Sequence, residues 1–182
     1  RWSGTVYFLI TSGSLASTDD LVEGSTNLYF TSARAVSALS GKLREYLVAD
    51  RTYYVRTDGS DSNNGLTNTS GGAFLTVQYA INVVKKLDLA GFNVLIKLTG
   101  DFSSQGLIYV YYPIGSGDVL LQGDTSNLTA SKINGLYIDG QIGQCRFIID
   151  AFQFSGVNSA QGALRVLNST VYHGRIDYYS TG

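Results

Sequence analysis

The sequence predicts a mainly β protein whose strands stack as a parallel solenoid, and three observations predict it. Gly fills 21 of 182 positions and Tyr 13, against a single Pro, a mix suited to many strands joined by tight turns and unsuited to a helical bundle. Beyond Gly91 the chain is a succession of short apolar runs broken by turn residues: NVLIKL, GLIYVYY, DVLLQG, INGLYIDG, CRFIID, FQFSG, ALRVLN, TVYHG and RIDYY. The runs that begin at Val94, Val119, Cys145 and Val171 are 25, 26 and 26 residues apart, and GLIYV, GLYID and ALRVL recur at 27 to 29. A sandwich or jelly roll shares the succession of strands; the common period is what points to a solenoid, with coils stacked at the ~4.8 Å strand spacing.

Taken in order, residues 1 to about 31 join an apolar run, TVYFLIT, to a Ser/Gly/Thr-rich acidic connector, SGSLASTDDLVEGSTN, with no periodicity that would bury a face. This reads as a linker or docking arm. From Thr31 the pattern turns helical, with Thr31 or Ser32 as cap and Val36, Leu39, Leu43 and Tyr46 on one stripe at 3, 4, 3 spacing. Gly41 interrupts that helix at about 1 kcal/mol relative to Ala. The stripe needs a cover, which is either a neighbouring chain in an oligomer or the helix's own domain.

TYYVRT at 52–57 reads as a strand and DGSDSNNGLTNTSGG at 58–72 as a turn-rich loop. In AFLTVQYAINVVKKLDLAG, Phe74, Val77, Ala80, Ile81, Val84 and Leu87 or Leu89 recur at 3 and 4, Lys85 and Lys86 favour the C-terminal end, and Gly91 is the stop. Phe74, Val77, Ile81 and Val84 are expected to cap the first coil, because a solenoid must cover its exposed apolar end. Two regions follow: residues 1–50 as arm, linker and short trimerising helix, and 51–182 as the start of a solenoid domain that continues beyond the fragment. Methionine is absent, at position 1 as elsewhere, and the chain is expected to be a piece of a longer polypeptide.

Thirteen basic against fourteen acidic side chains leave a net charge of −1, so no basic field draws nucleic acid or an anionic membrane surface. No apolar run approaches the ~20 residues of a bilayer span. The single cysteine, Cys145, reads as a buried strand position. No cofactor or metal is expected.

Two stretches carry a family resemblance. TDDLVEGSTNLYFTSARAVSAL, residues 18–39, resembles the DLxEGxxNLYFTxxR linker of bacteriophage tail-fibre and tailspike proteins. YYVRTDGSDSNNGLTNTSGGAFLTVQYAINVV, residues 53–84, resembles the opening of pectate-lyase-like right-handed parallel β-helices, where a strand, a GSDSxxGL loop and a PFxTIQxAI helix precede the first coil; Ala73 stands where the family often has Pro. Together they cover about 54 of 182 residues. The resemblance implies a homotrimer in the phage tail of the virion, made in the bacterial cytoplasm. It further implies tail or baseplate proteins docked through the arm, and a host surface glycan or receptor engaged by a distal part that lies outside this sequence.

The chemistry is sparse. Asp124, Asp150 and Asp177 are separated by 26 and 27 residues. On stacked coils they would form a column about 5 Å apart, the carboxylate spacing of a retaining glycosidase, with at least one pKa raised. The competing reading puts each in a turn, where Asp is common. Asp58, Asp61, Asn63 and Asn64 cluster in one loop but miss the EF-hand spacing, so side chains bonding local backbone explain them better. His173 has no nucleophile motif beside it. Tyr109, Tyr111, Tyr112, Tyr137, Tyr172, Tyr178 and Tyr179 could offer rings to sugars or pack between subunits. The expected role is therefore structural, with attachment to the tail and support of receptor binding. The alternative is the front part of a depolymerase of capsule or lipopolysaccharide, using a carboxylate pair.

Overall fold

The computed structural model describes residues 31–39, 43–139, 144–155, 164–167, 171–173 and 176–178. Residues 1–30, which hold the arm and most of the linker motif, lie outside the described residues, as do Gly41 and Tyr179. Two compact units divide the chain, Arg1–Leu43 and Arg44–Gly182.

In the first unit, α1 (Ser32–Leu39) starts where the Thr31 Oγ1 accepts from the Arg34 amide at 3.2 Å, a local cap. It buries no residue; Val36 is 69% and Leu39 46% exposed. The expected four-residue stripe is not one helical stripe. Leu43 lies in a bend, and Tyr46 belongs to β1 (Glu45–Tyr46) of the second unit.

The second unit is mainly β, and every strand pair in it is parallel. All ten strands expected from the apolar runs are present: β2 (Arg51–Arg56), β4 (Val94–Thr99), β5 (Asp101–Val110), β6 (Ser116–Gln122), β7 (Lys132–Asp139), β8 (Gln144–Asp150), β9 (Phe152–Phe154), β10 (Leu164–Leu167), β11 (Val171–His173) and β12 (Ile176–Tyr178). One sheet runs β2-β4-β6-β8-β11. In a second, β5 pairs one side of β7 and β9 and β10 pair the other, with β12 beyond β9. The two-residue β1 pairs with β3 (Leu87–Asp88), which continues through a parallel bridge from Asp88 to Ile114.

Alternation explains the burial. Val94, Ile96 and Leu98 of β4 are buried while Leu95 and Lys97 are half-exposed, because successive strand side chains point to opposite faces. Parallel register then stacks like on like: Tyr53, Ile96, Leu121 and Ile149 form one row across four strands. Ile108 and Leu136 start another that runs to Leu164. The register corrects two of the sequence alignments, and Val171 lies opposite Phe147 where Cys145 was aligned with it. Val119 lies opposite Phe147, and Cys145 opposite Gly117; this shift of two residues keeps each side chain on its own face.

α2 (Val77–Val84) buries Val77, Ala80, Ile81 and Val84, in contact with β2, β4 and β5. Thr76 is its N-cap, accepting from the Tyr79 amide at 3.2 Å. Phe74 precedes the helix: it bridges to Val55 and is 2% exposed. Lys85 caps the C-terminus, and the Arg44 guanidinium donates to the Lys85 carbonyl, a cation at the negative end of the helix dipole. Gly91, with φ at 95°, marks a turn after β3 and does not end the helix.

The loop at 57–76 covers the outer edge of β2. Tyr54 donates to the Gly65 carbonyl at 2.8 Å and Arg56 to that of Phe74 at 2.9 Å, while Phe74 donates back to Tyr54 at 2.9 Å. An edge strand whose outward groups are bonded offers no template to another chain.

Candidate functional site

The three carboxylates do not form a column. Asp150, at the end of β8, lies opposite Gln122 and accepts from its side-chain amide at 3.3 Å. Asp177, on β12, lies opposite Gln153. Asp124 follows β6 in a tight local turn, where its Oδ1 accepts from the Ser126 amide at 2.8 Å, the Ser126 hydroxyl at 2.5 Å and the Asn127 amide at 3.2 Å. Those bonds, the Ser126 hydroxyl first, hold its carboxyl below the ordinary value, opposite to what an acid catalyst needs. The two-residue register shift is the physical reason that Asp150 meets Gln122 where Asp124 was expected.

An NMR titration should therefore find Asp124 ionising below the normal carboxylate range, with Ser126→Ala moving it back up. Because the folded value is the depressed one, whatever the turn contributes is present above the unfolded pKa and lost as pH falls through the folded one. A normal value for Asp124 would remove the turn assignment.

The acidic loop folds on itself. Asp61 accepts from the Leu75 and Thr76 amides, both at 2.9 Å, and from the Thr76 hydroxyl at 2.8 Å, so it orients the residue that caps α2. Asn63 donates to the Ser70 and Ala73 carbonyls at 3.0 and 2.8 Å, and Asn64 accepts from Leu66 at 3.0 Å. Asp58 takes two bonds from Arg56 at 2.8 and 3.0 Å, which lower its pKa.

The tyrosines separate into two groups. Tyr112 is buried, with its ring edge-on to Phe147 at 6.3 Å. Tyr109 and Tyr111 are 45% and 44% exposed, and the register sets Tyr109, Tyr137 and Arg165 in one outward row of the second sheet. The Tyr109 and Tyr137 ring centroids lie 5.5 Å apart, the Arg165 guanidinium carbon is 5.2 Å from the Tyr137 centroid, and the Lys85 ammonium is 4.1 Å from that of Tyr111. This band of rings with cations at their faces is the described feature with the chemistry to meet a polar partner. The tyrosines were legible in sequence; the cations were not, because Lys85 and Arg165 reach them from other elements.

A small cleft of about 210 Å³ opens at the end of β4, lined by Lys97, Gly100, Asp124 and Ser131 among others. Cys145 is half-buried on β8, and burial pushes its thiol up to about 11, which leaves it a poor nucleophile. His173, on β11, lies opposite Ile149 of β8. Comparisons with protein-family models, curated proteins and solved structures found no match for this chain.

Proposed function

We propose that the second unit is the opening of a right-handed parallel β-helix, and that the chain is the proximal, structural part of a trimeric phage tail fibre or tailspike. One observation carries the reading. In the first sheet Val94 pairs with Val119, Val119 with Phe147 and Phe147 with Val171, steps of 25, 28 and 24 residues. In the second, Ile108 to Leu136 and Leu136 to Leu164 are steps of 28. From β4 to β8 each return of the chain adds one strand to each sheet, as coils do, and the return from β8 to β11 adds both β9 and β10 to the second; parallel crossovers are right-handed in nearly all sheets. The step from Arg51 to Val94 is longer because it holds the loop and α2. The capping helix thus comes directly after the GSDSNNGL loop, in the order that the resemblance implies.

In this reading the arm, residues 1–50, docks on tail or baseplate proteins and aligns three chains, and a distal part engages the host glycan or receptor. Support for self-association comes from Val36, Leu39, Leu43 and Tyr46, all 46 to 69% exposed, and from the marginal stability of a solenoid of few coils. Light scattering on residues 1–182 should give the mass of three chains, and a stable monomer would count against assembly through this segment. A structural role also predicts no saccharide release from host capsule or lipopolysaccharide in a reducing-end assay. Release that is lost in Asp150→Asn would overturn it.

A further inference from the structure

Among the apolar runs, Leu107–Tyr112 stands out: LIYVYY is six consecutive aliphatic or aromatic residues with no charge, and Pro follows only at 113. Six-residue segments of high β-propensity without charge or proline pair readily with copies of themselves when a strand edge is open. Most of this run lies in β5, which pairs β7 on one side only, and its outward side chains, Tyr109 and Tyr111, are exposed.

The other edge of β5 is met by α2, through a side chain. The Gln78 Oε1 accepts from the Tyr109 amide at 2.8 Å and its Nε2 donates to the Tyr109 carbonyl at 3.0 Å. Those are the two bonds a neighbouring strand residue would make, supplied by an amide that mimics a peptide group. Gln105 repeats the device in the opposite direction: its Oε1 accepts from Val77 and its Nε2 donates to the Leu75 carbonyl, both at 3.0 Å. The two glutamines tie the start of α2 to β5 at either end of the contact, and neither is needed to fill the core.

We propose that Gln78 is an edge guard, and that the strand it shields is a latent self-association site whose occupant is the same segment of a second copy of this chain. Side-chain amides at a strand edge satisfy the backbone while ending the ladder, since the amide group has no further peptide to offer. The exposed band of Tyr109 and Tyr111 gives the incoming strand its side-chain contacts once the edge opens.

The test uses residues 1–182 and analytical ultracentrifugation across a concentration series below the unfolding temperature. Gln78→Ala should self-associate beyond the wild-type species at concentrations at least about tenfold lower than wild type. Gln78→Glu, which keeps an acceptor for the Tyr109 amide and places a charge on the edge, should not. Adding Tyr109→Lys to Gln78→Ala should restore the wild-type distribution although the Gln78 bonds are still missing. An unchanged distribution for Gln78→Ala, or association that persists with Tyr109→Lys, overturns the proposal and leaves Gln78 as a helix anchor only.

Discussion

Ile81→Asp should lower the unfolding temperature by about 10 °C or more, since a loss of several kcal/mol converts at roughly 2–4 °C per kcal/mol in a chain of this size. Ile81 is 1% exposed at the centre of the buried face of α2, between Val77 and Val84. An aspartate there loses the transfer free energy of the aliphatic side chain and brings a carboxylate to a place with no described cation among its buried neighbours. Asn82→Asp is the control: the same charge, one position on, at an exposed site that accepts from Gln78 at 3.3 Å, should change stability by less than about 0.5 kcal/mol. Calorimetry on both variants separates burial from charge. Equal melting temperatures would remove α2 from its place as the cover of the first strands.

What the sequence made legible follows from the length over which a pattern is read. The strands were found because each is a short apolar run bounded by turn residues, and in a longer one such as β4 the alternation of Val94, Ile96 and Leu98 also marks the buried face. β1 and β3 were missed because two residues carry no period. Tyr46 fitted a helical spacing from Val36, but the spacing spans Gly41, and the chain beyond it pairs with Leu87–Asp88 instead. Apolar content located each run without fixing its register. Aligning Val119 with Cys145 by their run starts was off by two, which set Asp150 against Asp124, and Asp177 joined the apparent column although it lies in the other sheet, opposite Gln153. Gln78 and Gln105 gave no signal at all, because a polar residue on a helix or in a bulge reads as solvated until its partner strand is known.

Gly65→Ala should destabilise the chain by about 2–4 kcal/mol, a large cost for one methyl group at a buried position of a loop. Gly65 has φ at 76°, a region that disfavours side chains. A Cβ there would also overlap Cδ2, Cε2 and Cζ of the Phe74 ring. That ring stacks 5.7 Å from Tyr53 and meets Tyr79 edge-on at 5.1 Å, so it cannot yield without disturbing the row that begins the first sheet. Phe74→Ala should itself cost about 3–5 kcal/mol through the cavity it leaves. The two are coupled, because removing the ring removes the clash. In urea denaturation the double variant should lose clearly less than the two single losses combined, keeping only the backbone strain of Gly65→Ala on top of the cavity. Strict additivity would show that the ring does not sit on the glycine. The coupling matters beyond local packing, because Gly65 and Phe74 supply the carbonyls that seal β2. A chain that loses this contact uncovers the outer edge of its first sheet and becomes able to add a foreign strand there.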